Sequence, residues 1–136
     1  MKVLVETGTY LGDMIQAMRP HFDQIYSIEL SDALFEKARQ RFESAKNVNL
    51  VHGDSGIQLP NVLKELKQPA LFWLDGHYSE GFTAKGDKET PIYDELNWIV
   101  SVPERRHVII IDDARCFGVT TLVFPPKKSI PPGHSP

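Results

Sequence analysis

Acidic side chains stand at the ends of the apolar runs of this sequence. Five such runs occur, and each ends in or is followed by at least one carboxylate; these acids are Glu6, Glu29, Asp54, Asp75 and the pair Asp112 and Asp113. Carboxylates attract cations, accept hydrogen bonds from hydroxyl groups, and serve as bases or as ligands of hard metal ions. Single acids at such places also cap helices. An acid at the end of every run favours a shared ligand site.

The segment ETGTYLGD, residues 6–13, follows the first apolar run. Gly8 and Gly12 would let the backbone turn tightly and approach a ligand. Their G-x-x-x-G spacing differs from the G-x-G-x-x-G of dinucleotide sites, and no lysine follows to make a P-loop. A rim of acids would repel a pyrophosphate and accept a cationic ligand. Glu29 closes the second run, where an acid in Rossmann-type sheets accepts hydrogen bonds from ribose hydroxyls.

The apolar runs alternate with segments of helical periodicity. The runs lie at residues 2–6, 24–30, 48–54, 69–76 and 107–113. Near-continuous hydrophobic strands separated by helices are typical of a parallel sheet that is covered on both faces. The sequence therefore predicts an α/β fold, an open doubly wound parallel sheet with helices on both faces. In such sheets ligands bind at the carboxyl ends of the strands.

Each helical segment carries apolar residues at helical spacing. Ser31 is the predicted N-cap of the second helix, Pro60 is expected to limit where the third helix begins, and Trp98 is predicted to pack rather than to stack on a cofactor. The predicted faces are Leu11, Ile15 and Met18; Leu34, Ala38 and Phe42; Val62, Leu63 and Leu66; and Ile92, Leu96, Ile99 and Val100.

Composition indicates one ordinary soluble domain. The chain has 136 residues, 41% of them hydrophobic, with a net charge of −3 and a single cysteine, Cys116. We expect no nucleic-acid partner, because no basic block stands out. We also expect no membrane partner, because no apolar stretch approaches the ~18 residues of a span. The single cysteine and the absence of a signal-peptide pattern favour the cytoplasm.

The last residues depart from the alternation of strands and helices. Five of the ten prolines fall in the final twelve residues, and no strand is predicted beyond the fifth run. We predict a domain over residues 1–118 and a Pro-rich tail over 119–136 that is extended or disordered. The domain is expected to be a larger α/β domain truncated at both ends, and an uncovered sheet edge would then favour a homodimer.

Four motifs together resemble the class I S-adenosylmethionine-dependent methyltransferases, over about residues 2–116. They are E-x-G-x-x-x-G after strand one, the acid of SIEL, GDS after strand three and WLDG at strand four. The resemblance implies the strand order 3-2-1-4-5 and S-adenosylmethionine as cofactor. It implies a cradle for the methionine part at residues 6–12, a ribose contact at Glu29 and an adenine site beside Asp54 and Ser55. The implied cofactor-binding residues are Glu6, Gly8, Thr9, Tyr10, Gly12, Glu29, Leu30, Asp54, Ser55 and Asp75.

Two catalytic arrangements suit methyl transfer to a hydroxyl group. In the first, Asp75, Asp112 and Asp113 share a divalent cation such as Mg²⁺, which resembles the catechol-type O-methyltransferases. Those enzymes have an Asp-Asn pair where this chain has Asp-Asp. In the second, His77 is a general base. An unperturbed histidine side chain has a pKa of ~6.5, which suits a group that accepts a proton near neutral pH. The two arrangements are compatible, and the catalytic candidates are His77 and Asp75.

The segments DGHYSEGFTAKGDKETPI and IIIDDARCFG look like a small bacterial branch that methylates oxygen atoms of small molecules and sugars. The expected acceptor is therefore a small-molecule or sugar hydroxyl. The loop at residues 79–90, with Lys85 and Lys88, is either a lid over substrate or a surface loop. Two other functions stay open: a non-catalytic methyltransferase remnant that binds cofactor or a partner, and an NAD- or nucleotide-binding Rossmann domain.

Overall fold

A computed structural model describes residues 1–75, 92–104 and 106–112, and the backbone alone of residues 122–124. Strands and helices alternate as the apolar pattern predicts. In chain order the elements are β1 (Val3–Thr7), α1 (Asp13–Met18), a 3₁₀ turn (Arg19–His21), β2 (Gln24–Glu29), α2 (Asp32–Arg41), β3 (Val48–His52), α3 (Ser55–Glu65), β4 (Ala70–Asp75), α4 (Ile92–Ser101), β5 (Val108–Asp112) and β6 (Leu122–Phe124).

The strands form one sheet in the order β3-β2-β1-β4-β5-β6. The first five strands are parallel, which confirms the predicted doubly wound sheet and its order 3-2-1-4-5. The prediction of no strand beyond the fifth was wrong, because β6 pairs antiparallel with β5. Three apolar residues before a proline give too short a pattern to indicate a strand. The boundary at residue 118 stays a prediction.

Two apolar cores lie on the two faces of the sheet. The central strand β1 is buried along its whole length, so its alternate side chains enter both cores. One core joins the sheet to α3 and α4 and includes Val3, Val5, Leu59, Val62, Phe72, Leu74, Ile92, Ile99 and Ile111. The other lies on the side of α1 and α2 and includes Leu4, Ile15, Ile25, Ala38 and Phe42. The predicted helices on both faces are thereby confirmed.

Three predicted face residues, Leu11, Leu34 and Val100, lie outside the two cores. Leu11 is exposed because α1 begins only at Asp13, after Gly12 has turned the chain with φ +88°. Val100 is exposed near the end of α4. In contrast, the predicted cap of α2 is present, since the Ser31 hydroxyl accepts a hydrogen bond from a backbone N–H of the first turn.

Pro60 lies inside α3, which begins at Ser55, so the proline does not set the start of this helix. A proline has no N–H to donate to the carbonyl four residues earlier, and that carbonyl belongs to Gly56. The indole N–H of Trp98 on α4 donates to the Gly56 carbonyl at 2.8 Å. Trp98 therefore supplies the hydrogen bond that Pro60 removes and joins α3 to α4.

Candidate functional site

The carboxyl ends of the parallel strands meet at one edge of the sheet. Thr7 pairs in register with Leu74, and Asp75 pairs with Asp112. The strand order reverses between β1 and β4, and such a switch point is where open α/β sheets bind ligands. Every acid that the sequence analysis selected in the described part of the chain lies at or beside this edge.

The loop after β1, residues 8–12, has an unusual backbone. Gly8, Tyr10 and Gly12 all have positive φ, at +84°, +51° and +88°. Glycine adopts such values without strain, whereas tyrosine does not. A Cβ atom at Gly8 would lie 3.0 Å from Asp75 Oδ2 and 3.2 Å from Asp75 Cβ. The loop thus passes directly beside the end of β4, and only glycine fits at that point.

Glu29 fixes this loop to the end of β2. Its Oε1 atom accepts a hydrogen bond from the Tyr10 backbone N–H at 2.8 Å, and its Oε2 atom accepts one from the Ser31 N–H at 2.9 Å. The side chain is 7% exposed. Because each carboxylate oxygen can accept two hydrogen bonds, Glu29 keeps capacity for a ligand hydroxyl. The contact with Tyr10 explains how a strained residue is held in place.

Glu6 is buried near the end of β1, and the cofactor contact expected of it stays a prediction. It is 4% exposed, and its Oε1 atom accepts a 2.6 Å hydrogen bond from Ser27 Oγ, which also contacts Thr9 Oγ1. Burial raises the pKa of Glu6 to about 8, and Asp75 and Glu29 add to the rise while the Ser27 hydrogen bond opposes it. Glu6 is therefore mainly protonated at pH 7, and it ties β1 to β2 rather than adding a charge to the edge.

Asp54 is the N-cap of α3, where its Oδ1 atom accepts a hydrogen bond from the Gly56 N–H at 2.8 Å. The capping alternative is thus a structural fact for this residue. Ser55 follows it and donates its hydroxyl hydrogen to Glu95 Oε2. The loop residue Leu30 is exposed beside Glu29. The cofactor contacts expected of Asp54, Ser55 and Leu30 stay predictions.

Glu95 on α4 is the site residue that sequence reasoning missed. It is 1% exposed and lies between the buried residues Ile92 and Ile99 at helical spacing. An acid on the apolar face of a helix is the sequence signal that could have identified it. Its Oε1 atom accepts a hydrogen bond from Thr7 Oγ1 at 3.3 Å, in addition to the bond from Ser55. Burial raises the pKa of Glu95 to about 7.

The predicted metal ligands Asp75 and Asp112 are register partners on neighbouring strands, so their side chains leave the sheet on the same face. The third predicted ligand, Asp113, and the predicted base, His77, lie outside the described residues, as do Lys85, Lys88 and Cys116. Among the residues that the structure describes, no group of three His, Cys, Asp or Glu side chains is placed to hold a metal ion. The metal site stays a prediction.

No family model matches the sequence, and no curated protein matches it either. Solved structures do match. A provisionally assigned caffeoyl-CoA O-methyltransferase from Staphylococcus aureus superposes with a TM-score of 0.63 at 16% identity, over 86% of this chain and 52% of that one. This is the Rossmann-like methyltransferase fold. The chain spans about half the length of that protein.

Two further structures share this methyltransferase fold. A Podospora anserina methyltransferase bound to S-adenosylhomocysteine gives a TM-score of 0.60 at 17% identity, over 87% of this chain and 48% of that one. An amino pentose methyltransferase from Micromonospora echinaspora, bound to S-adenosylmethionine, gives 0.56 at 18% identity, over 82% and 42%. The structural neighbours are thus S-adenosylmethionine-dependent methyltransferases, including one assigned to oxygen methylation.

In the part of the chain that the structure describes, no helix has the length and apolar character to cross a membrane.

Proposed function

We propose that this chain binds S-adenosylmethionine at the carboxyl edge of its sheet and is the cofactor-binding domain of a methyltransferase that acts on a small-molecule or sugar hydroxyl. The observation that carries the proposal is the contact between Glu29 and the loop at residues 8–12. This contact holds a tight, glycine-containing turn at the strand-order switch point, next to an acid that can accept further hydrogen bonds from a ribose.

Charge at the edge favours this ligand over a dinucleotide. Asp54, Asp75 and Asp112 lie along the same edge as Glu29. S-adenosylmethionine carries a sulfonium and an ammonium group, which carboxylates attract, whereas they repel a pyrophosphate. The G-x-x-x-G spacing of Gly8 and Gly12 also differs from the dinucleotide pattern.

In the proposed reaction the acceptor oxygen attacks the methyl carbon in line with the sulfur. The new C–O bond forms as the C–S bond breaks, and the electron pair of that bond stays on sulfur to give S-adenosylhomocysteine. The hydroxyl proton passes to a base, for which His77 is the proposed group. Rate then depends mainly on the distance and alignment of the two reacting atoms. The loop beside Asp75 would fix one of those atoms.

Three carboxylates are the proposed ligands of a Mg²⁺ ion. The paired positions of Asp75 and Asp112 suit two oxygen ligands of a hard cation, and Asp113 is the proposed third. When bound, such an ion would lower the pKa of an acceptor hydroxyl. All other steps of the proposal rest on the side chains of this chain.

Calorimetric titration with S-adenosylmethionine, with and without Mg²⁺, tests the cofactor site. The informative variant is Glu29→Gln, and the matched control is Glu43→Gln, the same change on the exposed segment after α2. Loss of a charged hydrogen-bond acceptor costs about 1.5–3 kcal/mol, so Glu29→Gln should weaken binding by roughly 10- to 150-fold. The control should bind like wild type.

Four outcomes separate the proposed function from its rivals. Equal affinity of Glu29→Gln and wild type would contradict the assigned site. No binding of S-adenosylmethionine by a chain shown to be folded would reject the cofactor. Saturable binding of NAD without binding of S-adenosylmethionine would favour the nucleotide-binding Rossmann alternative. Binding without methyl transfer to a panel of hydroxyl acceptors would favour the non-catalytic remnant.

A further inference from the structure

The carboxyl group of Glu95 connects three elements at the candidate site. It projects from α4 and accepts hydrogen bonds from Thr7, the last residue of β1, and from Ser55, the first residue of α3. The Thr7 hydroxyl in turn accepts a 3.1 Å hydrogen bond from the backbone N–H of Asp75 at the end of β4. One buried side chain therefore fixes the backbone or side chains of three predicted cofactor-site segments relative to α4.

This arrangement is not what packing alone would select. Ile92 and Ile99, on the same face of α4, are buried in the core, and a leucine between them would avoid the cost of burying a carboxyl group. The Glu95 carboxyl group instead provides hydrogen-bond acceptors for the hydroxyls of Thr7 and Ser55. Since hydroxyls rotate freely, Thr7 can accept from Asp75 and donate in a defined direction only when an acceptor such as Glu95 is present.

We propose that Glu95 is a positioning residue for cofactor binding: through Thr7 and Ser55 it holds the ends of β1 and β4 and the start of α3 in the geometry that receives the cofactor. The inference rests on the proposed function. Glu95 itself is buried and is not proposed to touch the cofactor.

The surroundings of Glu95 explain why a neutral replacement is informative. Burial raises its pKa, the hydrogen bonds from Ser55 and Thr7 oppose the rise, and the negative groups that face it, Asp54 and Asp75, add to it. The neutral form is therefore well populated near pH 7. A glutamine matches the neutral form in charge: its oxygen can accept from Thr7, and its amide can donate to the Ser55 oxygen once the Ser55 hydroxyl, which donates to Glu95 in wild type, has rotated.

The experiment measures the dissociation constant of S-adenosylmethionine for wild type, Glu95→Gln, Glu95→Leu and Thr7→Val, with circular dichroism to establish folding. Thr7→Val keeps the side-chain shape and removes the acceptor of the Asp75 N–H. The matched control is Glu65→Leu, the same substitution at the exposed end of α3.

We expect Glu95→Leu and Thr7→Val to weaken binding at least about tenfold, and Glu95→Gln to recover most of that loss. The control should bind like wild type. Wild-type affinity in folded Glu95→Leu, or a loss in Glu95→Gln as large as in Glu95→Leu, would overturn the proposal. If Glu95→Leu does not fold, Thr7→Val decides, and wild-type affinity in that variant overturns it.

Failure of the proposed function gives a different result from failure of this inference. If the cofactor assignment is wrong, folded wild type and all variants show no binding, and both proposals fall together. If only the positioning role is wrong, wild type and the three variants all bind with similar affinity, and the cofactor site remains.

Discussion

Replacing Glu6 with glutamine should make the stability of the protein less dependent on pH. The Glu6 carboxyl group is buried on β1, and its pKa is raised from the ordinary 4.5 to about 8, first by burial. At pH values between about 4.5 and about 8, Glu6 keeps its proton in the folded chain and loses it in the unfolded chain. Wild-type stability should therefore fall as pH rises from about 4.5 to about 8, and level off above.

The size of the effect follows from the two pKa values. The interval from 4.5 to about 8 corresponds to roughly 5 kcal/mol at 1.36 kcal/mol per pH unit. Most of it, about 4 kcal/mol, is lost between pH 5 and pH 9. This is a large share of the 5–15 kcal/mol that typically stabilises a domain. Glutamine carries no charge at any of these pH values, and its oxygen can still accept from Ser27.

Urea denaturation at pH 5, 7 and 9 measures the effect on wild type, Glu6→Gln and the surface control Glu43→Gln. The free energy of unfolding of Glu6→Gln relative to wild type should increase with pH, by on the order of 4 kcal/mol over the whole range. Glu95 also titrates in this range, but it contributes equally to both chains. A constant difference between Glu6→Gln and wild type at the three pH values would refute the reasoning.

Two further substitutions test other contacts. Gly8→Ala places a Cβ at φ +84° and 3.0 Å from Asp75 Oδ2, so it should lower the free energy of unfolding by about 1–2 kcal/mol and weaken binding of the proposed cofactor. Thermal denaturation measures the stability, and titration with S-adenosylmethionine measures the binding. Changes no larger than those caused by Gly56→Ala in α3 would contradict this prediction. Trp98→Phe removes the donor to the Gly56 carbonyl and should lower the free energy of unfolding by about 1 kcal/mol. The loss should be smaller in a Pro60→Ala background, because the alanine N–H can donate to the same carbonyl. An equal loss in both backgrounds would argue against the role assigned to Trp98.

The sheet could be predicted from the sequence because its signals are local. Each parallel strand is a short apolar run, and the acids and glycines that follow mark where it ends. The loop beside Gly8 and the position of Glu29 could be anticipated for the same reason. Both depend on residues that lie close together in the chain or at the end of a strand.

What the sequence did not reveal depends on partners far along the chain. Glu95 is buried because Thr7 and Ser55 supply hydroxyls 88 and 40 positions away, and no local pattern shows that. The protonation of Glu6 likewise depends on burial that only the assembled sheet provides. Acids at strand ends were therefore correctly located, whereas their charges could not be read from residue type.

The hydrogen bond from Trp98 to the Gly56 carbonyl constrains how this sequence could have diverged. A proline at position 60 and a tryptophan at position 98 suit each other, and each loses its advantage when the other is replaced. A lineage that acquired the tryptophan first could accept the proline at a lower cost, because the Gly56 carbonyl keeps a hydrogen-bond donor, whereas the reverse order passes through a helix with an unpaired carbonyl. Related chains should therefore exchange the two residues together, so that positions 60 and 98 should covary.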